Sequence, residues 1–470
     1  MLYVSTRGDS PAISFADALL AGLARDGGLY VPERWPVLDR DVIAGFKDRP
    51  YREVALEVIR PFVAGSISDA DLARMIADAY ASFGKPGVAP LVELDTGEYL
   101  LELFHGPTLA FKDVAMQLLA RLMDHVLAER NERVTIVGAT SGDTGGAAVE
   151  AFRGRERADV IILFPDGRVS DVQRRMMTTA SEANVHTVAI DGTFDDCQAI
   201  VKALFNDQPF RDRVRLSAVN SINWARIVAQ SVYYFTAAVA LGAPGKGVRF
   251  TVPTGNFGDI FAGYAAARMG LPVEQLIIAT NVNDILARTL ASGRYEPHAV
   301  VATASPAMDI QVSSNFERLL FECGGRNPLA VRSLMESLAT DKRFVLPSET
   351  LGAIRQLFSA ARADEKETSA TIKAVYTKNG YLLDPHTAVA VAVARRFLGE
   401  SRSPMVTLAT AHPAKFPDAV AAATGQHPAL PDRLSDLDAR KERVTKLPAS
   451  TEAVARFVEE RSRAVSGAEA

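Results

Sequence analysis

Cysteine is scarce: the 470 residues contain two, Cys197 and Cys323. That excludes a disulfide framework and points to a reducing compartment, so a cytoplasmic location is expected. Long apolar runs are missing as well. The longest, near Val232–Leu241 and Ala388–Ala394, fall short of the roughly 20 residues that a bilayer requires. The N-terminus, Met1 to Arg7, lacks the apolar core of a signal peptide. No basic run stands out and the formal net charge is −4, which argues against a nucleic-acid partner. The seven histidines show no HxxxH or Cys/His spacing, so no metal site is expected. Walker and GxGxxG patterns are both absent. No fixed-period repeat and no low-complexity tract occurs.

What remains is a soluble composition, 48% hydrophobic and 23% charged, in a chain long enough for two or three domains. Residues 1–90 read as a mostly helical N-terminal unit, with helices over Ser14–Ala24, Asp41–Phe46, Tyr51–Phe62 and Ser68–Ser82. From 91 the texture becomes strand–turn–helix. Strands are expected at Tyr99–Leu103, Val134–Val137, Val160–Phe164, His186–Ile190 and Arg215–Val219, and a long helix at Ile222–Leu241. A second set runs over 248–430, with strands at Val248–Val252, Gln275–Ala279 and Met405–Thr410 and a helix over Ser348–Ala361. Residues 431–470 are expected to form a peripheral tail. The alternation predicts an α/β fold of open, mostly parallel sheets wrapped by helices.

Chemistry concentrates in four stretches. In Phe104-His-Gly-Pro-Thr-Leu-Ala-Phe-Lys-Asp113 a turn gives way to a helical apolar pattern, which puts Lys112 in the first helical turn. The helix dipole disfavours a cation there. A lysine that must lose its proton to act as a nucleophile gains from that position; a lysine that snorkels to solvent is the bland alternative. Two glycine-rich loops follow strands and open helices: Thr140-Ser141-Gly142-Asp143-Thr144-Gly145-Gly146 and Gly255-Asn256-Phe257-Gly258-Asp259. Small residues let backbone N–H groups converge on an anion at a helix N-terminus. Arg226 closes the stretch Asn220-Ser221-Ile-Asn-Trp-Ala-Arg226; spacing leaves open whether it is solvated or grips a phosphate or carboxylate. A lysine with two anion cradles fits pyridoxal phosphate, which needs an amine, a phosphate cup and a partner for its ring nitrogen.

These motifs, together with Tyr3–Gly8 and Asp26–Pro32, resemble the longer, bacterial and fungal type of threonine synthase, among the fold-type-II pyridoxal-phosphate enzymes. The similarity extends over roughly residues 1–425. It implies β,γ-replacement on O-phospho-L-homoserine, with L-threonine and phosphate as products. It also implies that Lys112 holds the cofactor covalently and later carries protons, that Gly255, Asn256, Phe257, Gly258 and Asp259 cradle the cofactor phosphate, and that Thr410 meets the pyridine nitrogen. By the same resemblance Thr140, Ser141 and Thr144 would grip the substrate carboxylate, and Ser221, Asn256 and Arg226 its phosphate. Many fold-type-II relatives carry Asn where Asp143 stands, donating to the cofactor's phenolic oxygen, which an ionised Asp cannot do. A phospho-lyase releasing a keto acid would share these residues, and a non-catalytic metabolite-binding relative is the rival from another class. Monomer and homodimer both stay open.

Overall fold

In the computed structural model, which describes residues 1–466, two parallel sheets carry the architecture. A five-stranded sheet runs in the order Thr445–Pro448, Val185–Asp191, Ala158–Pro165, Val134–Ala139, Leu216–Ser217, every neighbouring pair parallel. Its middle strand, Ala158–Pro165, is buried along its whole length, as expected of a strand covered on both faces. A six-stranded sheet runs in the order Phe358–Arg362, Val273–Thr280, Val248–Pro253, Met405–Ala409, Glu98–Glu102, Leu91–Asp95, with only the last strand antiparallel. The helix Trp224–Ala240 is buried on nearly every side, because an all-round apolar helix can only be stable inside a core. It packs against the helices Lys112–Glu129 and Gly258–Arg268.

The N-terminal unit contains more strand than expected. Leu2–Ser5 pairs with Ile13–Ser14 and Tyr30–Pro32 in a small antiparallel sheet. The helices Tyr51–Val63 and Asp69–Tyr80 then dock on the Trp224 and Lys112 helices.

Three expectations need correction. The helix expected over Ser348–Ala361 stops at Arg355, and Phe358–Arg362 becomes the edge strand beside Val273–Thr280. Ala360, Ala361 and Arg362 favour helix locally, so pairing with residues 276–280 overrides local propensity here. The cut at 91 and 248 does not follow the sheets: Leu91–Asp95 and Glu98–Glu102 belong to the six-stranded sheet, alongside strands from 248–409. The tail is not peripheral. Thr445–Pro448 extends the five-stranded sheet, and Val454 and Val458 of the helix Thr451–Arg461 are buried against Cys197 and Ile200.

All the chemistry-bearing loops leave carboxyl ends of parallel strands: Thr140 follows Val134–Ala139, Thr254 follows Val248–Pro253, Thr410 follows Met405–Ala409, and the Lys112 turn follows Glu98–Glu102. Ligand sites of open α/β sheets lie at such ends.

Candidate active site

Lys112 is the first residue of its helix and is buried. The turn before it is pinned to the loop after Met405–Ala409: Phe111 N–H donates to the Thr410 carbonyl at 2.8 Å and His412 N–H to the Leu109 carbonyl at 3.0 Å. Lys112 and Thr410 therefore sit on adjoining chain segments. Within the turn, Asp113 accepts from Thr108 N–H at 2.8 Å and Thr108 Oγ1 at 2.6 Å. Burial raises the Asp113 carboxyl to about 6, although Thr108 and Lys415 oppose it. Burial also lowers the Lys112 ammonium below its ordinary value. Asp143 pulls it back up, while Lys415 and Arg226 push it further down. Its amine lies 3.7 Å from Asp143 Oδ2.

Asp143 opens the helix Asp143–Phe152. Burial alone would raise its carboxyl, but Lys415 and Lys112 overcome that and hold it well below the usual carboxylate range. Lys415 Nζ is 2.7 Å from Asp143 Oδ1, and Gln173 Nε2 donates to the same oxygen at 2.9 Å. Lys415 and Gln173 carried no signal in the sequence beyond lying in a loop and at a capping position. Thr140 has a different posture from Ser141 and Thr144. Its hydroxyl oxygen accepts from Gly142 N–H and Gly145 N–H, both at 2.9 Å, so it shapes the loop and has only its proton left for a ligand. Ser141 and Thr144 are half-buried at the loop surface. Gly145 has no room for a side chain, since a Cβ there would meet Thr140 Cγ2 at 2.5 Å and Met177 Sδ at 2.6 Å.

The second loop is built around Phe257, which adopts φ 67° while its ring is buried against Phe316 and Phe358. A left-handed conformation at a bulky residue is costly and persists only where packing enforces it. Here it turns the chain into the helix Gly258–Arg268, whose first-turn amides have no helical carbonyl to bind. At Gly255 a Cβ would meet the Ala307 carbonyl at 2.6 Å. Asp259 points away from the loop, into a buried cluster in which Tyr233 and Tyr234 both donate to its carboxyl. Burial raises that carboxyl to about 7.

Sequence reading missed the segment that joins these loops. Asn315 Nδ2 donates to the carbonyls of Ser221 at 3.2 Å and Asn256 at 2.9 Å, and Ser313 Oγ donates to the Gly255 carbonyl at 2.6 Å. Arg318, fully buried, donates to the carbonyls of Tyr30 at 3.0 Å and Ile222 at 2.6 Å and to the Asn315 side chain. Ser221 and Asn256 thus come together at half-buried positions. Arg226 is buried, makes one long bond of 3.4 Å to the Val219 carbonyl, and leaves its Nε without a partner. No carboxylate among the described residues pairs with it, and burial lowers its guanidinium to about 10.

Residues 2–80 match the family described as "Threonine synthase N terminus", residues 85–411 "Pyridoxal-phosphate dependent enzyme", and residues 387–458 "Threonine synthase, C-terminal". The threonine synthase of Pseudomonas aeruginosa is 55% identical over 97% of this chain and 98% of its own length. The chain belongs to the threonine synthase family. Within that family, the fold superposes on the PLP-bound threonine synthase of Brucella melitensis with a TM-score of 0.96 at 60% identity, covering 98% of this chain and all of that one. The yeast threonine synthase structure gives a TM-score of 0.93 at 42% identity, covering 98% of each chain. The fold is that of a fold-type-II enzyme and the cofactor is pyridoxal phosphate.

The residues present fit that group. A buried amine, a glycine-walled helix N-terminus and a hydroxyl residue at the end of Met405–Ala409 converge at one end of the sheets. A separate open cleft of about 650 Å³ lies between Arg7, Arg25 and Arg332. It is no comparable anion cradle, because Arg7 is paired with Glu317 and Arg332 with Asp9. Among the described residues, no helix is long and apolar enough to cross a membrane.

Proposed function

We propose that this threonine synthase acts on O-phospho-L-homoserine and water, with pyridoxal phosphate held at Lys112, and releases L-threonine and phosphate. The carrying observation is Arg226: a buried guanidinium with an unpartnered Nε that, among the described residues, forms no salt bridge, Asp259 acting on it only at longer range. A buried cation without a paired counter-charge costs several kcal/mol, on the order of 3–5 when a partner is removed, so an anionic ligand is its natural complement. Ser221 and Asn256, tied together through Asn315, would complete that phosphate site. Ser141 and Thr144, with the Thr140 proton, would hold the substrate carboxylate. The first-turn amides at Gly255–Asp259 would hold the cofactor phosphate, and Thr410 would meet the ring nitrogen.

Bound there, pyridoxal phosphate supplies an electron-withdrawing ring that stabilises charge developing on the substrate carbons. The chain's own groups do the rest. Lys112 Nζ, whose ammonium burial lowers from its ordinary value, takes a proton from the substrate's Cα and then one from Cβ, whose electron pair expels phosphate from Cγ, and later returns protons to Cγ and Cα as the acid. Arg226 binds the phosphate and receives it as it leaves Cγ. Burial of Lys112, Asp143 and Arg226 keeps bulk water out until phosphate has gone, after which one water adds at Cβ. The free thiols of Cys197 and Cys323 support the expected cytoplasmic setting.

The test is an absorbance spectrum of the purified protein beside Lys112→Ala, followed by addition of O-phospho-L-homoserine. A visible band in the parent only, with threonine and phosphate formed in equal amounts, is expected. Phosphate accompanied by a keto acid would overturn the substrate reaction but keep the cofactor site.

A further inference from the structure

One carboxylate in the site faces two ammonium groups. Lys415 Nζ is 2.7 Å from Asp143 Oδ1, whereas Lys112 Nζ is 3.7 Å from Oδ2. The first distance is a charge-assisted hydrogen bond and the second is too long for one. Lys415 is held from both sides. It is 1% exposed, ends the short turn Pro413–Lys415, and donates to the Thr108 carbonyl at 2.8 Å, four residues before Lys112. Gln173 occupies the same Asp143 oxygen at 2.9 Å, so the carboxylate is anchored on the side away from Lys112. Gln173 is itself fixed by the capping box it forms with Ser170.

We propose that Lys415 is a positioning residue: by engaging Asp143 it prevents a tight Asp143–Lys112 ion pair and leaves Lys112 Nζ available as a free amine. This rests on the reading of Lys112 as the cofactor-bearing residue. The groups that face Lys112 are Asp143, Lys415, Arg226 and Asp113, with Asp259 also acting on it. Among these, Lys415 opposes protonation of Lys112 directly, and it also consumes the carboxylate that would favour protonation. Removing Lys415 therefore moves Lys112 in one direction by two routes. Removing the Asp143 charge moves it in the other.

The test uses the full chain, stripped of pyridoxal phosphate and resupplied with it, and follows the rate at which the visible band appears against pH. Lys415→Met is expected to slow attachment tenfold or more at neutral pH and to move the profile up by about one unit, since a unit of pKa is a factor of ten. Lys415→Arg should stay close to the parent. Asp143→Asn should move the profile down, and the double variant K415M/D143N should recover most of what K415M loses, which a purely structural defect would not allow. An unmoved profile in K415M, or a double variant displaced as far as K415M, overturns the proposal. If K415M does not fold, an unmoved or raised profile in Asp143→Asn overturns it alone. Failure of the parent to form any band would instead strike the Lys112 reading, so the two failures are separable.

Discussion

Asn315 donates its side-chain amide to the Asn256 carbonyl at 2.9 Å, and its backbone N–H donates to the same oxygen at 3.0 Å. The side-chain amide also reaches the Ser221 carbonyl, so one buried residue sets the spacing between the two loops proposed to hold the substrate phosphate. Asn315→Ala should leave the Ser221 carbonyl and the buried Arg318 guanidinium each short of a partner, while the Asn256 carbonyl keeps the backbone N–H, at a cost of about 1–3 kcal/mol in stability. It should also raise KM for the phosphorylated substrate more than it lowers kcat, because the loops drift apart before chemistry begins. Thermal melts with steady-state kinetics check both; a kcat loss with unchanged KM would count against the spacing role.

Arg226 separates stability from function. Its guanidinium is buried and, among the described residues, forms no salt bridge, so Arg226→Met should leave the melting temperature unchanged or raise it, as replacing buried ionic groups by apolar ones often does. Binding should suffer in the opposite sense, with affinity for phosphate-bearing substrate reduced on the order of a hundredfold, the worth of a strong charge-assisted contact. A variant that is both less stable and unimpaired in binding would mean that Arg226 serves the fold alone.

The contrast between Arg226 and Asn315 explains what the sequence made legible. Arg226, Lys112 and the two glycine loops lie in contiguous stretches with a turn, a hydroxyl or glycine run and a helix start, and each such pattern is local. Asn315 and Arg318 act across 59 to 288 residues of chain, and Lys415 reaches Asp143 over a similarly long separation; no spacing rule marks them. Parallel strands with helical crossovers were readable from alternation alone. The allocation of Glu98–Glu102 to the far sheet was not, because strand order is set by tertiary packing. Phe358–Arg362 was misread for the same reason: its partner lies on another strand, Val273–Thr280.

The tail makes a prediction of its own. Cys197 is fully buried in a cluster with Val454, Phe457 and Val458, and Thr445–Pro448 covers the edge of Val185–Asp191. Truncation after Val444 in a Cys323→Ser background should expose that edge and that thiol together. Alkylation of Cys197, negligible in the full-length chain, should become rapid, and unfolding should shift to lower urea as the apolar cover is lost. Equal protection with and without the tail would show that the five-stranded sheet buries Cys197 unaided.

Asp259 should give stability a pH dependence of definite sign. Its carboxyl is buried against Tyr233 and Tyr234, and burial raises it from 3.8 to about 7. Between those values the folded chain binds a proton that the unfolded chain does not, so the stabilisation is complete below about pH 3.8 and declines as pH rises through 7. Asp113, raised to about 6, acts in the same sense over a narrower window. Asp143 acts in the opposite sense, since its lowered carboxyl stabilises the fold above the ordinary carboxylate range and loses that effect only in acid. Asp259→Asn carries no titrating proton yet keeps an acceptor for both tyrosines. Urea titrations at pH 5 and pH 8 should therefore show the parent losing about 1–3 kcal/mol more than the variant across that interval, at about 1.4 kcal/mol per unit of pKa difference. Parallel losses in the two proteins would mean that the Asp259 carboxyl is already ionised at pH 5 and that the tyrosine pair, rather than burial, governs it.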